Sequence, residues 1–596
     1  MILVNKLKSR PRLAAGLALT VIILVTLATY SSTIYSGLVE FDDQFQVTQN
    51  FDIKRLDAHS LKKMFSSFYL GMYQPLASLT FALEYKFWHS SPLFLHLDNL
   101  LLHLVNIWLV YWLSCRLFNK RSVALISAAL FAVHPLQVES VAWVSARSNL
   151  LSGLFLLAAL LAYTFYLKKF RPAAYGLSLL LFIAALLSKA SAVVLPVILL
   201  LLDWYQRRPL SKKMWLEKLP FFALSLVFGL IVIKSRGINA LVSPINYAWT
   251  QKLLFIPYDL LFYLKKLLLP INLSAYYGLP KLTNGWLPPL YYLEALLAVA
   301  LLVIIWHYRR HRTLLWLTGF YCLLLAPTLP LKIFSPTIAA DRYAYLANIS
   351  YFWFCGLLLA WLAAKFKNLK TWLLLGLLVF ITLMAGLAKI RTWAWYDNYS
   401  LWRDVLQQNP EQSSVYNSMA NAESRDGNLA QAMTYYGKAL EVDPKDAFTY
   451  NNIGSAIVKN GGDNLQALNY YNQAIKLNPN EPLFYYNRGN IWFRLKEYKA
   501  ALIDYQLAVT LTPAQHEYYY VFLGSLARTQ YELNMFQESI ATYDQAIDIY
   551  GLNEAYFFRG LAKTKLGQIG SGCQDLKEAD KLGYKDAKTE LTKNCQ

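Results

Sequence analysis

The feature that most constrains this chain is a succession of apolar runs long enough to cross a lipid bilayer. A transmembrane helix needs about 20 mostly apolar residues. Such runs occur near 13–33, 93–114, 122–138, 149–167, 173–187, 191–205, 217–234, 289–306, 313–330, 344–364 and 371–388. The chain is 56% hydrophobic and 16% charged, where soluble domains carry about 25% charge. An ordinary soluble enzyme is excluded, and so is a disordered or collagen-like chain. The formal net charge of +21 does not signal nucleic acid. Residues 1–395 hold 38 basic and 13 acidic side chains, whereas 396–596 hold 19 and 23. The excess therefore belongs to the apolar part. The expected fold is all-α: a polytopic helical bundle of about eleven spans over 1–395, then a water-exposed domain over 396–596.

Lys and Arg in short loops set the orientation of such a bundle. Alternate loops are strongly basic: Lys6/Lys8/Arg10/Arg12, Arg116/Lys120/Arg121, Lys168/Lys169/Arg171, Arg207/Arg208/Lys212/Lys213/Lys218, Arg309/Arg310/Arg312 and Lys365/Lys367/Lys370. With a cytoplasmic N-terminus and eleven spans, everything after Lys389 lies outside the cytoplasm. Residues 253–269 are apolar enough to cross, but counting them would put the Arg309–Arg312 cluster on the wrong side. They are expected to form an interfacial or re-entrant helix on the outer face.

The second part is periodic. Pro410, Pro444, Pro479 and Pro513 are 34, 35 and 34 residues apart. Each unit also places small and aromatic residues at fixed offsets: Ala432/Tyr436/Ala439, Ala467/Tyr471/Ala474 and Ala501/Tyr505/Ala508, with Tyr450/Gly454 and Tyr485/Gly489 earlier in their units. This is the tetratricopeptide (TPR) pattern, in which small residues mark where two helices touch. A helical-hairpin solenoid with a capping helix near 583–594 is expected. Cys573 and Cys595, at the end of the array, are candidates for a disulfide, which would need an oxidising compartment.

Several polar residues stand at the outer ends of the spans. Asp42 and Asp43 follow the first span. Adjacent carboxylates can supply a general base, since each alters the proton affinity of the other; a solvated pair or a helix cap fits the same residues. His134, Glu139, Arg147, Lys189, Asp341, Arg342 and Tyr343 lie at other outer turns. Arg147, Lys189 and Arg342 can together hold a phosphate near the lipid headgroups, or each can simply snorkel. His96, Asn99, His103 and Asn106 form one helical face, as metal ligands or, more in keeping with a membrane helix, as interhelical hydrogen-bonding groups. No nucleotide-binding, GxSxG or HExxH motif is present.

The ordered set of Asp42-Asp43, Gln74-Pro75-Leu76, His96…Asn99…His103, His134-Pro135…Glu139…Arg147, Ser188-Lys189, Asp341-Arg342-Tyr343 and the TPR array resembles the transmembrane-and-TPR O-mannosyltransferases and their bacterial relatives. That resemblance implies a GT-C-type inverting enzyme that moves a sugar, typically mannose, from a polyprenyl- or dolichyl-phosphate donor to Ser/Thr of secreted proteins. It implies that Asp42 or Asp43 is catalytic, and that Arg147, Lys189 and Arg342 meet the donor phosphate, with His134, Glu139, Asp341 and Tyr343 in support. No cofactor beyond the donor is required; a divalent metal is left open. Gln74 departs from the arginine that relatives often carry there. In the TPR domain, Asn417, Asn421, Asn451, Asn452, Asn487 and Asn490 can line an acceptor-peptide groove, as in the similar asparagine-rich groove of the nucleocytoplasmic O-GlcNAc transferase, or serve packing. The implied setting is a bacterial inner membrane with a periplasmic TPR domain, or the endoplasmic reticulum membrane. Transfer to an envelope glycan or lipid, and a non-enzymatic membrane scaffold, are the alternatives.

Overall fold

The computed structural model describes residues 11–595 apart from 70, 239–246, 331–336, 515, 517, 550 and 552. Lys6, Lys8, Arg10 and the side chain of Arg12, from the first basic cluster, lie outside the described residues. The chain divides into two compact units, one reaching Asn409 and the other beginning at Pro410.

Among the described residues the first unit is built of helices, with a single strand pair, Tyr277–Gly278 against Thr337–Ala339, antiparallel with Tyr277 opposite Ala339. Among the described residues six helices are long and apolar enough to cross a membrane: Leu13–Tyr35, Pro92–Phe118, Val144–Lys169, Lys212–Ser235, Pro289–His307 and Lys367–Trp395. A seventh crossing arises if Arg121–Val133 and Pro135–Ala142, bent by 61° at His134, are taken as one span. The expectation of eleven spans is therefore too high, because an apolar run is not yet a straight helix. The runs near 173–187 and 313–330 form the 17-residue helix Pro172–Ser188 and the 14-residue helix Arg312–Leu325. At 1.5 Å per residue the latter rises about 21 Å, short of a hydrocarbon core of about 30 Å. The run near 191–205 becomes a 3-10 turn followed by the short helix Leu195–Tyr205. Asn348–Lys365 buries polar Asn348 and Ser350 in its first turn. Segment 253–269 lies, but for its last residue, in the helix Trp249–Leu268, which carries Pro257, Asp259, Lys265 and Lys266 and is not among the six.

Local sequence explains where the central helices start and stop. Pro92 occupies the first turn of Pro92–Phe118, where a missing N–H costs nothing, and Asn119 ends that helix in the left-handed conformation at φ 50°. Small residues set the close crossings, as membrane helices require. A Cβ on Gly356 would stand 3.0 Å from the Val123 carbonyl oxygen, so Asn348–Lys365 crosses Arg121–Val133 nearly backbone to backbone.

The second unit is five helical hairpins: Ser413–Arg425/Leu429–Val442, Ala447–Lys459/Asn464–Leu477, Pro482–Arg494/Tyr498–Leu511, Tyr519–Glu532/Phe536–Ile549 and Asn553–Lys565/Ile569–Lys581. The helix Ala587–Asn594 follows them. Ala432, Tyr436, Ala467, Tyr471, Ala501 and Tyr505 are all buried. Gly454 faces the Tyr471 ring and Gly489 the Tyr505 ring, each with room for no more than a hydrogen. Cys573 and Cys595 are joined by a disulfide, Cα to Cα 5.8 Å, which ties the last hairpin to the final helix.

Candidate active site

The two adjacent aspartates have opposite environments. Asp43 is 1% exposed. Its Oδ2 accepts the Val39 N–H at 2.9 Å, and its Oδ1 accepts both the backbone N–H of Ser145 at 2.9 Å and the Ser145 hydroxyl. Burial raises its pKa from 3.8 to about 6, against the lowering effect of these hydrogen bonds. Asp42 is half-buried; its carbonyl starts the next turn by accepting the N–H groups of Phe45 and Gln46 at 3.0 Å. Its carboxylate is among the negative charges acting on Arg342. The pair therefore comprises one fully buried, anchored carboxylate and one on a half-buried residue.

Arg342 is bound twice by Glu139. The Arg342 N–H donates to Oε2 at 2.8 Å and its guanidinium to Oε1. Glu139 is 2% exposed and the Arg342 side chain 16%, so the cation is held from within and open on one side. Its guanidinium lies 5.0 Å from the Trp143 ring and 5.0 Å from the Tyr343 ring. Lys189 stands 5.5 Å from the same Tyr343 ring and donates to the Asn149 side-chain oxygen. Trp143 is stacked on Trp395 at 5.6 Å and contacts Phe41, the residue before Asp42, edge to face at 5.2 Å. Asp42, Glu139, Arg342, Tyr343 and Lys189 are thus gathered around an aromatic floor. A carboxylate whose charge reaches Arg342 can accept a proton while Arg342 and Lys189, both set against the Tyr343 ring, meet an anion.

Other expected residues fall elsewhere. Arg147 is 1% exposed and its donors are spent: Nη1 on Glu84 at 2.7 Å, Nε on Asn99 at 2.9 Å and Nη2 on the Leu95 carbonyl at 2.8 Å. It does not join Arg342 and Lys189, because a buried acid on the helix Pro75–Trp88 claims it first. His134 bridges the Leu267 carbonyl at 3.1 Å and the Leu136 N–H at 3.3 Å, fixing the bend between two helices. Asp341 turns away from Arg342 and accepts the Tyr277 hydroxyl at 2.8 Å; burial, then the Glu139 charge, raises its pKa. Gln74 uses its carbonyl to start the helix Pro75–Trp88.

The polar face of Pro92–Phe118 is an interhelical network. His96 meets the Gly37 carbonyl at 3.1 Å, His103 the Tyr345 hydroxyl at 2.9 Å, and Asn106 the Leu150 carbonyl at 3.0 Å. Among the described residues no three His, Cys, Asp or Glu side chains are placed to hold a metal. Ser145, Trp143, Asn149 and Glu84 were not singled out from the sequence. Only Glu84 carries a visible signal, as the lone acid in an apolar helix.

The TPR amides are largely engaged within the array. Asn417 donates to Asp446 at 2.9 Å and to Thr449, and Asn487 donates to Asn451 at 2.9 Å. Asn451 in turn donates to Asn452 at 3.3 Å. Asn421 and Asn490 accept the Tyr436 and Tyr505 hydroxyls at 2.6 and 2.7 Å. Asn417 and Asn487 thus register one repeat against the next, while Asn421 and Asn490 join the two helices of a single hairpin; this departs from a row of open peptide-binding amides.

The fold defines a polytopic membrane protein whose first unit carries a polar cluster and whose second unit is a TPR solenoid. A family model described as Dolichyl-phosphate-mannose-protein mannosyltransferase matches residues 75–234, and tetratricopeptide repeat models match 413–446 and 458–516. The chain is 26% identical over 505 residues to the Protein O-mannosyl-transferase TMTC3 of Mus musculus and 24% over 498 residues to that of Homo sapiens. Each match covers 73% of this chain and 52% of the relative, so the chain spans about half the length of these proteins. The Drosophila melanogaster Protein O-mannosyl-transferase Tmtc1 is 34% identical over 172 residues, 28% of this chain and 20% of its own. Among solved structures, a TPR protein titled YrrB aligns at 20% identity over 32% of this chain and 97% of its own, TM-score 0.28. Over 73% of its length the chain is thus similar to curated transmembrane-and-TPR protein O-mannosyl-transferases.

Proposed function

We propose that this protein is an integral-membrane, inverting protein O-glycosyltransferase that moves a sugar, mannose by its relatives' names, from a polyprenyl- or dolichyl-phosphate donor to Ser/Thr of secreted polypeptides. The observation that carries the reading is the half-buried Asp42, whose charge acts on the Glu139-held Arg342, with Lys189 set against the same Tyr343 ring as Arg342. Asp42 is the general base and Asp43 its anchor, since the Asp43 carboxylate is buried beneath three hydrogen bonds. Asp42 takes the proton of the acceptor hydroxyl as that oxygen bonds to the anomeric carbon. The bond from that carbon to the phosphate oxygen breaks, and the lipid phosphate leaves with its charge met by Arg342 and Lys189. A lipid-linked donor explains why the site is built at the ends of membrane helices, and the TPR array serves to hold the acceptor polypeptide. The reaction takes place on the extracytoplasmic face, periplasmic in a bacterium or lumenal in the endoplasmic reticulum.

The test is intact mass of secreted proteins from cells carrying wild type or Asp42→Asn. Loss of a general base lowers transfer by about 10²- to 10⁴-fold, so hexose-sized increments should vanish with expression unchanged. Increments that persist in Asp42→Asn would remove Asp42 from the mechanism.

A further inference from the structure

We propose that Glu84, Arg147 and Asn99 are positioning residues that set the angle of the segment Trp143–Ser145 and, through it, the alignment of Asp42 with Arg342; this inference rests on the base assignment above. That segment leads through Trp143 into the short 3-10 turn Val144–Ala146, which joins two helices, Val138–Ala142 and Arg147–Lys169. Within the turn the Ala146 N–H donates to the Trp143 carbonyl at 3.1 Å, which leaves the Trp143 and Val144 carbonyls to be braced from outside. Asn99 does so from the neighbouring helix, donating its amide to the carbonyls of Trp143 at 3.0 Å and Val144 at 3.4 Å. Asn99 is in turn oriented by Arg147, whose Nε donates to the amide oxygen at 2.9 Å. Arg147 is locked by the Leu95 carbonyl at 2.8 Å and by Glu84 at 2.7 Å, with Phe81 4.3 Å from its guanidinium.

The braced segment has two outputs. Ser145 grips Asp43, the residue next to Asp42. Trp143 lies 5.0 Å from the Arg342 guanidinium. A change of tilt therefore moves the base and its facing cation together. The chemistry suits this role. Arg147 and Glu84 are almost wholly buried, at 1% and 4% exposure, and a buried ion pair seldom outperforms apolar packing as a source of stability. A planar guanidinium with several fixed donors instead specifies an angle between three elements.

The experiment uses the purified full chain in detergent, with dolichyl-phosphate mannose as donor and a Ser/Thr-rich peptide as acceptor, and separates kcat from donor KM. Arg147→Lys keeps a cation opposite Glu84 but loses the fork that orients Asn99. Asn99→Asp keeps the acceptor for Arg147 but loses both amide donors. Misplacement of reacting groups by a fraction of an ångström to an ångström costs about tenfold to a hundredfold. Each variant should therefore lose about that much kcat while donor KM stays within about twofold. Wild-type kcat in a folded Arg147→Lys protein overturns the proposal. So does a loss confined to donor KM, which would mean that Arg147 touches the donor. If Arg147→Lys does not fold, Asn99→Asp decides by the same two readouts. Asp42→Asn is run beside them: unchanged transfer there sinks the base assignment and the inference with it. Transfer lost in Asp42→Asn but intact in the other two sinks the inference alone.

Discussion

Replacing Glu139 by Gln should destabilise the membrane unit by about 3 kcal/mol. Glu139 accepts two donors from one residue, the Arg342 N–H at 2.8 Å and the Arg342 guanidinium, and is itself 2% exposed. A glutamine offers one carbonyl oxygen and turns an amide N–H₂ toward the second donor. Breaking a buried ion pair costs roughly 3–5 kcal/mol, because the remaining charge is stranded. Arg342 is 16% exposed, so water reaches one side of the stranded cation and the lower end applies. Unfolding of the purified protein can be followed by tryptophan fluorescence, with Trp143 5.0 Å from the guanidinium as a local reporter. The double variant Glu139→Gln/Arg342→Gln removes the stranded charge as well. The two sites should therefore couple by about 1–3 kcal/mol in a double-mutant cycle. A single-variant cost below about 1 kcal/mol with no coupling would mean an exposed pair of the ordinary surface kind, and the account of a cation held from within would be wrong.

Asp43 should make stability depend on pH. Its pKa is raised from 3.8 to about 6, so its contribution is fully present below the unfolded value and is lost as pH rises through about 6. The difference is on the order of 3 kcal/mol, and Asp43→Asn should flatten the stability profile between those limits. In the TPR unit, a Cβ on Gly454 would meet the Tyr471 ring at 2.9 Å, so Gly454→Ala should cost about 1–3 kcal/mol. Gly437, in mid-helix with nothing within 4 Å of that position, should gain about 0.5–1 kcal/mol on becoming Ala; chemical unfolding distinguishes the two signs. Reducing the Cys573–Cys595 disulfide, which spans 22 residues, should cost about 3 kcal/mol by loop entropy. Hydrogen exchange should then rise first in Ala587–Asn594.

The TPR array was legible because its signal repeats. A period near 34 residues carries the same small-to-large contact several times, as Gly454 with Tyr471 and Gly489 with Tyr505 show. The number of crossings was overread because hydropathy counts apolar residues and does not see where a helix bends or stops, as at His134. The polar stripe His96–Asn106 was legible from spacing, since four polar groups on one apolar helix face must find partners. The difference between Asp42 and Asp43 was not, because it is made by Ser145, 102 residues away. Arg147 misled for a related reason. A cation at the end of a span looks the same in sequence whether it faces a lipid phosphate or a buried acid such as Glu84.

The Glu139–Arg342 pair joins residues 203 positions apart, and His103 reaches Tyr345 across 242. During synthesis and membrane insertion, Glu139 must therefore enter the bundle long before its cation has been made. Until residue 342 arrives, the growing chain carries an uncompensated acid among apolar helices and has no second wall around Asp42. A nascent or truncated product ending before that point should be both catalytically silent and recognisably unfinished to membrane quality control. The proposed activity and the completion of the fold would both depend on the same late-arriving arginine.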